Sequence, residues 1–188
     1  MTLEASSSES IGDVLHVVAA PSCALIRGVV TDNLRSVDRL RWYPSLLLEG
    51  YDRDAEQRRL ADEARLLGVP VVTTRSPLGR RRIDRVRMFF DDWFYLRNTH
   101  ASVVHVHATD VGVRGSPAGW LSAVVRRTPI VTSVYPHGSR GSEPVAVSIG
   151  LQQAGRQVWN RAMPVDEMLE TNWLYDEVWR AQARDRTA

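Results

Sequence analysis

Two kinds of hydrophobic pattern alternate along residues 13–138. Short apolar runs rich in Val, Leu, Ile and Ala are typical of buried strands, and they lie at 13–20, 41–49, 69–74, 102–107 and 128–138. The longer segments between them predict helices, and they lie at 24–37, 54–67, 80–98 and 111–127. Strands and helices that alternate in this way predict an α/β domain with a parallel sheet.

The segment 54–67 gives the clearest helix prediction. Asp54 is a residue type that caps a helix, since its carboxylate accepts hydrogen bonds from the backbone N–H groups of the first turn. Leu60, Ala64 and Leu67 form an apolar stripe, and Gly68 is the residue type that often follows a helix end. A helix is therefore predicted to begin after Asp54 and to end before Gly68.

The connections predict the order of the strands. Right-handed crossovers and a reversal of direction after the third strand give a Rossmann-like, doubly wound parallel sheet of order 3-2-1-4-5. Strands one and four are then neighbours, and the loops 21–24 and 107–117 flank the crevice between them. Such sheets bind ligands at the carboxyl ends of their strands, so we expect a functional site in this crevice.

The pattern changes after Gly138. Residues 139–144 are rich in Gly and Ser, and two helices are predicted at 145–163 and 165–183, separated by Pro164. The second helix has an apolar stripe and is predicted to pack on the main domain. The predicted organisation is a disordered tail (1–12), a Rossmann-like acceptor-type domain (13–138) and a C-terminal helical extension (139–188).

Composition limits the compartment in which the protein works. The 188 residues carry a formal charge of +2, and all 24 basic residues are arginine, a bias that we attribute to a GC-rich genome. Cys23 is the single cysteine, so no intrachain disulfide forms and a reducing compartment is predicted. The first residues lack the pattern of a secretory signal, and no apolar run approaches the roughly 20 residues of a membrane span. We therefore expect a soluble, cytoplasmic protein.

Two histidines end the fourth predicted strand. His105 and His107 lie on one face of this strand, and His107 is next to the loop that opens the crevice. Because histidine has an ordinary pKa of about 6.5, His107 is a candidate general base or a hydrogen-bonding partner for a substrate hydroxyl. Asp110 either orients His107 or caps the next helix, and both interpretations stay open. His105 and His16, which lie inside their strands, are expected to be buried core residues.

Further candidates lie in the loops around the same crevice. The small residues at 112–119 open a helix whose N-terminus attracts anions, with Arg114 as a positive partner. Close packing of that helix on the sheet explains the small residues equally well. His137 and Gly138 follow strand five, either as part of the cleft or as a plain turn.

The first loop contains Ser22 and Cys23. Cys23 lacks an adjacent partner that would activate a nucleophile, and we expect a small buried thiol there. No Cys/His spacing typical of a zinc site is present, so the spacing predicts no metal.

Four motifs occur in an order that resembles a known family. They are His16-Val-Val, Leu60-Ala-Asp-Glu-Ala-Arg-Leu-Leu-Gly-Val-Pro70, Val103-Val-His-Val-His107, and Pro129-Ile-Val-Thr-Ser-Val134 with His137-Gly138. Together they resemble the N-terminal, acceptor-side domain of GT-B glycosyltransferases of the family-4 kind. In that family they belong to strand one, the approach to strand three, strand four and strand five.

The chain also departs from the family pattern. Ala20-Pro-Ser-Cys-Ala24 stands where the family has a Gly-Gly turn, Ser102 replaces an aspartate, and Tyr135-Pro136 shift His137. The C-terminal donor domain, where the family binds its nucleotide sugar, is missing from this sequence. The tail 163–177 resembles the terminal helix by which such enzymes cross back onto the N-terminal domain.

The resemblance implies an acceptor-binding half of a glycosyltransferase, which transfers a sugar only together with a separate donor-binding subunit. No cofactor is then expected on this chain, and the nucleotide sugar is expected on the partner subunit. The implied catalytic residues are His107 and Asp110, and the implied substrate-binding residues are Ser22, Arg114, His137 and Gly138.

Other functions stay open at this point. One is a non-catalytic module, derived from such an enzyme, that binds a glycan or a partner protein. Another is an unrelated small-molecule enzyme that uses His107 and Cys23. A homo-oligomer is the alternative to a complex with a donor subunit.

The basic and aromatic segment 80–95 predicts a surface contact. Such a helix can lie on an anionic membrane, and a lipid-linked acceptor would make peripheral binding at the inner membrane face useful. A core helix with a solvated first turn also explains the pattern, and contact with nucleic acid is the least favoured interpretation. The residues of the expected membrane surface are Arg80, Arg81, Arg82, Phe89, Phe90 and Trp93.

Overall fold

The computed structural model describes residues 12–19, 22–50, 54–74, 90, 95, 99–109, 128–136, 146–153, 156–168 and 172–187. Its elements in chain order are β1 (Gly12–Ala19), α1 (Ala24–Ser36), β2 (Trp42–Glu49), α2 (Ala55–Leu66), β3 (Val71–Thr74), β4 (Ala101–Thr109), β5 (Ile130–Tyr135), β6 (Ala146–Gln153), β7 (Arg156–Pro164), a 3-10 turn (Val165–Met168) and α3 (Asn172–Thr187). The helices predicted at 80–98 and 111–127 lie outside these residues, apart from Phe90 and Tyr95, which are both helical.

One seven-stranded sheet of order β3-β2-β1-β4-β5-β6-β7 forms the centre of the fold. The strands from β3 to β5 are parallel, whereas β6 and β7 are antiparallel to their neighbours. The prediction of an α/β fold is confirmed, and the sheet is mostly parallel where a wholly parallel one is predicted. The predicted order 3-2-1-4-5 differs from the observed one, because two further strands continue the sheet beyond β5.

The prediction of a helix over 145–163 is wrong, because Ala146–Gln153 and Arg156–Pro164 form the antiparallel strands β6 and β7. Val147, Ile149 and Leu151 are buried while Ser148 and Gln152 are exposed, a period of two that suits a strand. On the edge of β5 that faces away from β4, backbone N–H and C=O groups need hydrogen-bond partners, and pairing with β6 supplies them. The α-helix described in the tail is α3, and it begins at Asn172, later than predicted, after the 3-10 turn Val165–Met168.

The two faces of the sheet carry separate cores. On one face, alternate residues such as Val14, Leu46 and Val103 pack with residues of α1, α2 and α3. The opposite face holds a smaller cluster made of Leu15, Val17, Leu47, Val104, Val106 and Ile130. Leu174 and Val178 of α3 belong to the larger core. The middle of that larger core is therefore covered by helices and shielded from water.

The helix α2 has the ends that its sequence predicts. The Asp54 carboxylate accepts hydrogen bonds from the backbone N–H groups of Glu56 and Gln57, and its second oxygen accepts from the N–H of Ser22. Gly68 follows the helix with a φ of 70°, a conformation that costs other residues energy. The cap thus also fixes the loop that follows β1.

Replacing this cap tests the description of α2. Asp54→Ala is expected to lower the free energy of unfolding by about 1 to 2 kcal/mol, because three backbone donors lose their acceptor. Asp62→Ala is the matched control, since Asp62 is 75% exposed on the same helix and pairs only with Arg65 at the surface. Its change is expected to stay within about 0.5 kcal/mol in urea unfolding. Equal losses in both variants would contradict the capping role.

Among the described helices, none combines the length and the apolar composition needed to cross a lipid bilayer. The predicted compartment stays a prediction. The surface predicted over 80–93 lies almost wholly outside the described residues, and of its members only Phe90 is described, with half of its side chain exposed. Contact with a membrane therefore also stays a prediction.

Candidate functional site: a buried cluster of histidine and tyrosine

Strand register brings three distant histidines together on the helix-covered face of the sheet. His16 of β1 pairs directly with His105 of β4, and His107 lies two residues further along β4. All three side chains are completely buried. Parallel neighbours place equivalent faces side by side, so residues separated by about 90 positions in the chain become direct neighbours.

Three hydroxyl groups from other elements complete the group. Ser133 and Tyr135 extend from the same face of β5, and Tyr175 comes from α3. We call these six side chains the polar cluster, and its members are His16, His105, His107, Ser133, Tyr135 and Tyr175. All of them are buried.

Every ring nitrogen of the polar cluster has a polar neighbour. Nδ1 of His16 lies 3.1 Å from Nε2 of His107, and Nδ1 of His107 lies 3.0 Å from the Tyr135 hydroxyl. Nε2 of His105 lies 2.7 Å from the Ser133 hydroxyl. The Tyr175 hydroxyl lies 3.0 Å from Nδ1 of His105 and 3.3 Å from Nε2 of His16, so it joins the two strands.

These contacts form one continuous chain that begins at Ser133 and ends at Tyr135. A neutral imidazole and a hydroxyl each donate one hydrogen bond and accept at least one. One consistent set of donors runs from Ser133 to His105, Tyr175, His16, His107 and Tyr135, and the reverse direction is equally consistent. The chain of hydrogen bonds joins all six groups without any charge, which lowers the cost of burying them.

Burial keeps the three imidazoles neutral. Loss of solvation lowers the pKa of His16 from 6.5 to about 4. The pKa of His105 and that of His107 lie well below 6.5, first because of burial and then because charging one imidazole repels charge on its neighbours. Burial also raises the pKa of Tyr135, so its hydroxyl keeps its proton.

Of the residues predicted for the site, the structure describes His107 and Ser22. His107 lies near the end of β4 as predicted, but it is fully buried and both of its ring nitrogens are engaged. Asp110, Arg114, His137 and Gly138 lie outside the described residues, and their predicted roles stay predictions. The expectation that His105 and His16 are buried is confirmed.

Shielded polar atoms mark the carboxyl edge of the parallel strands, and they extend from β1 towards β3, whereas the crevice is predicted between strands one and four. Ser22 follows β1, Thr74 ends β3, and Gln57 of α2 donates from Nε2 to the carbonyls of Val18 and Glu49. Ser22 Oγ, Thr74 Oγ1 and Gln57 Oε1 have no hydrogen-bond partner within the described part of the chain. Buried polar atoms normally have partners, so these three unpaired atoms set this edge of the sheet apart.

The N-terminus of α1 lies at the same edge. Cys23 is its capping residue, and its side chain makes no capping hydrogen bond. The first N–H groups of this 13-residue helix therefore keep the capacity to donate. This end of the helix also attracts negative charge through the helix dipole.

A cavity of about 450 Å³ lies at the opposite, amino edge of the same strands. Its lining includes Asp13, Arg39, Tyr43, Ser45, Tyr95 and Thr99. Sequence reasoning did not foresee this cavity, because its lining residues come from the starts of separate strands and carry no common motif.

Sequence reasoning also missed the polar cluster as a unit. The sequence places His16 in strand one and His105 in strand four. Because these two strands are predicted to be neighbours, their pairing is the signal that could have indicated contact between the two histidines. Tyr175 carried no such signal, because its place depends on how α3 packs on the sheet. The expectation of no metal rested on spacing along the chain, whereas the fold joins three histidines that lack such spacing.

The fold and the polar cluster define a mixed α/β protein with a mostly parallel sheet and a buried, uncharged histidine site. Comparison with protein-family models, with curated proteins and with solved structures gives no match.

Proposed function

We propose that this chain is the acceptor-binding half of a glycosyltransferase and that it transfers a sugar together with a separate donor-binding subunit. The proposal is supported by the motifs that resemble the acceptor-side domain of GT-B enzymes. The mostly parallel sheet, in which β1 lies between β2 and β4, agrees with that kind of domain. A sheet of this order has its switch point between β1 and β4, where ligands bind.

The observation that carries the proposal is the set of shielded polar atoms at the carboxyl edge. Ser22 Oγ, Thr74 Oγ1 and Gln57 Oε1 lie where the chain's parallel strands end, and they lack partners in the described part of the chain. Hydroxyl and amide oxygens suit the hydroxyl groups of a sugar, which both donate and accept hydrogen bonds. An acceptor sugar that displaces the residues covering these atoms would satisfy them.

The packing of α3 gives further support. The Asn172 side chain accepts a hydrogen bond from the N–H of Asp38 and donates one to the carbonyl of Ser36. Arg41 and Asp176 form an ion pair at 2.8 Å. A C-terminal helix held against the start of the domain agrees with the resemblance of the tail to the terminal helix of such enzymes.

The test requires the partner. The tagged chain is isolated from its own host, co-purifying chains are identified by mass spectrometry, and sugar transfer by the reconstituted pair is measured. Ser22→Ala and Thr74→Val are each expected to raise KM for the acceptor about 3- to 10-fold, the value of one hydrogen bond to a neutral group. Ser148→Ala is the control, because its hydroxyl is exposed on β6 and contacts Asn160.

A pair that transfers sugar with unchanged KM in both edge variants would contradict the acceptor site. A chain that is recovered alone and gives no transfer with any nucleotide sugar would contradict the enzymatic half. The folding of the chain and of both variants is checked by circular dichroism.

A second candidate is a non-catalytic glycan-binding module, and the burial of His107 favours it. This histidine was the best candidate for the general base, yet it reaches no solvent and its nitrogens bond to His16 and Tyr135. A base must contact the proton that it removes. Glycan binding that Ser22→Ala weakens, in a chain that supports no transfer, would identify this second function.

A further inference from the structure

The polar cluster has the composition of a metal site as well as that of a hydrogen-bonded chain. His105 and His107 form a His-x-His pair on one strand, and His16 faces them from the neighbouring strand. One potential ligand atom from each of the three histidines can be chosen so that these atoms lie within 4.8 Å of one another. Three neutral imidazoles are an established donor set for zinc in proteins.

The distances are close to those of a tetrahedral site. Zinc–nitrogen bonds of about 2.0 to 2.1 Å place two ligands of a tetrahedral ion about 3.3 Å apart. The facing nitrogens of His16 and His107 already lie 3.1 Å apart. The widest separation of 4.8 Å has to close by about 1.5 Å, which side-chain rotation of a histidine can supply.

We propose that His16, His105 and His107 bind one divalent transition-metal ion of the zinc class, with the Tyr175 hydroxyl oxygen at the fourth position. Tyr175 is suited to this position because its oxygen lies 3.0 Å from Nδ1 of His105, the nitrogen of that ring that does not contact Ser133. The ion replaces the contact between His16 and His107 as the link between β1 and β4. Imidazole ligands favour zinc, copper, nickel and cobalt over magnesium and calcium, which prefer oxygen.

Two further contacts orient the ligands. Ser133 lies 2.7 Å from Nε2 of His105, and Tyr135 lies 3.0 Å from Nδ1 of His107. Metal-binding histidines usually have their second nitrogen held in this way, which fixes the ring. The proposed ion also clamps α3 to the sheet, because Tyr175 is the residue of α3 that contacts both strands. The site is structural, since all its ligands are buried.

This inference is independent of the proposed function. The polar cluster lies in the helix-covered core, whereas the proposed acceptor site lies at the carboxyl edge of the strands. A protein that binds zinc without transferring sugar, or that transfers sugar without binding zinc, separates the two proposals.

The first experiment uses the full chain and the metal alone. Protein stripped with a chelator is incubated with zinc chloride, desalted and analysed for bound metal, and about one ion per chain is expected. Zinc at a free concentration a hundredfold above its Kd is expected to raise Tm by about 5 to 10 °C. Cobalt chloride in place of zinc is expected to give the intense visible absorption of a four-coordinate ion in the folded chain, and none after unfolding in urea.

Variants assign the ligands. His16→Asn is expected to abolish retention of the ion, and Tyr175→Phe, which keeps the aromatic ring, is expected to weaken binding about 10- to 100-fold. His100→Asn and Cys23→Ser are the controls, since His100 is exposed and Cys23 lies outside the donor set. Neither control is expected to change the metal content or the cobalt spectrum.

Three results would overturn the proposal. They are a stripped wild-type chain that retains no metal and gives no cobalt spectrum, a folded His16→Asn variant that retains the ion fully, and a cobalt spectrum that disappears in Cys23→Ser. If His16→Asn does not fold, the wild-type spectrum and the Tyr175→Phe affinity decide the question.

Discussion

Lowering the pH from 7 to 5 is expected to destabilise the metal-free protein by about 2 kcal/mol through His16 alone. The reason is that burial lowers the pKa of this imidazole to about 4, while its value in the unfolded chain is 6.5. Burial also lowers the pKa of His105 and of His107, so both add to the loss. The total is a large part of the roughly 5 to 15 kcal/mol that stabilises a domain.

The sign follows from proton binding. Between pH 6.5 and 4 the unfolded chain holds a proton on this histidine and the folded chain does not. Protons therefore favour unfolding, and the stability present at neutral pH is lost as the pH falls through the unfolded value. The groups that face the three imidazoles are Ser133 and Tyr135 from β5 and Tyr175 from α3, and Cys23 lies near Tyr135. No carboxylate among the described residues compensates for a positive charge on these imidazoles.

The measurement is the free energy of urea unfolding at several pH values in the presence of a chelator. Each histidine contributes a slope of up to about 1.4 kcal/mol per pH unit, so three give up to about 4 kcal/mol per unit. His16→Asn is expected to reduce this slope by one such increment, and His100→Asn, at an exposed position outside the cluster, should leave it as it is. A wild-type stability that stays constant between pH 7 and pH 5 would rule out buried neutral histidines.

Truncation of Tyr175 is the second change with a large expected effect. Tyr175→Ala is expected to lower the free energy of unfolding by about 3 to 5 kcal/mol, the range for removing a buried aromatic side chain. This side chain is fully buried, and its ring packs edge-on against Trp42. Its loss also removes the hydroxyl partner of His16 and His105. The variant should therefore loosen α3 from the sheet.

Two further variants, also measured by urea unfolding at pH 7, separate the contribution of the Tyr175 ring from that of its hydroxyl. Tyr175→Phe keeps the ring packing and removes the hydroxyl, and a loss of about 1 to 3 kcal/mol is expected from the unpaired imidazole nitrogens. Tyr43→Ala is the control for loss of a tyrosine, since Tyr43 is 58% exposed, and its effect should stay within about 0.5 kcal/mol. A Tyr175→Ala variant as stable as Tyr43→Ala would show that α3 does not pack in this position.

The secondary structure of the first 109 residues could largely be predicted wherever the structure describes it. The strands β1, β2 and β4 are short apolar runs, and α2 begins after a capping aspartate and ends before a glycine, so local chemistry defines each of them. These signals involve residues close together in the chain, and any fold that buries the apolar runs preserves them. The β6–β7 hairpin is different: the alternation of Val147, Ile149 and Leu151 suits a strand, but a helix is predicted there, and the strand's backbone partners come from the edge of β5.

By itself, the sequence determined that His105 and His107 share a face of one strand and that His16 lies inside another. The tertiary structure alone decided that the register of β1 against β4 places these three side chains in contact, and that α3 brings Tyr175 to them. Strand pairing and helix docking depend on the whole core, because the free energy gained by burying each apolar side chain comes from contacts with residues that are distant in the chain. For the same physical reason the lowered pKa values are properties of the fold, since they arise from the removal of water by elements that are remote in the chain.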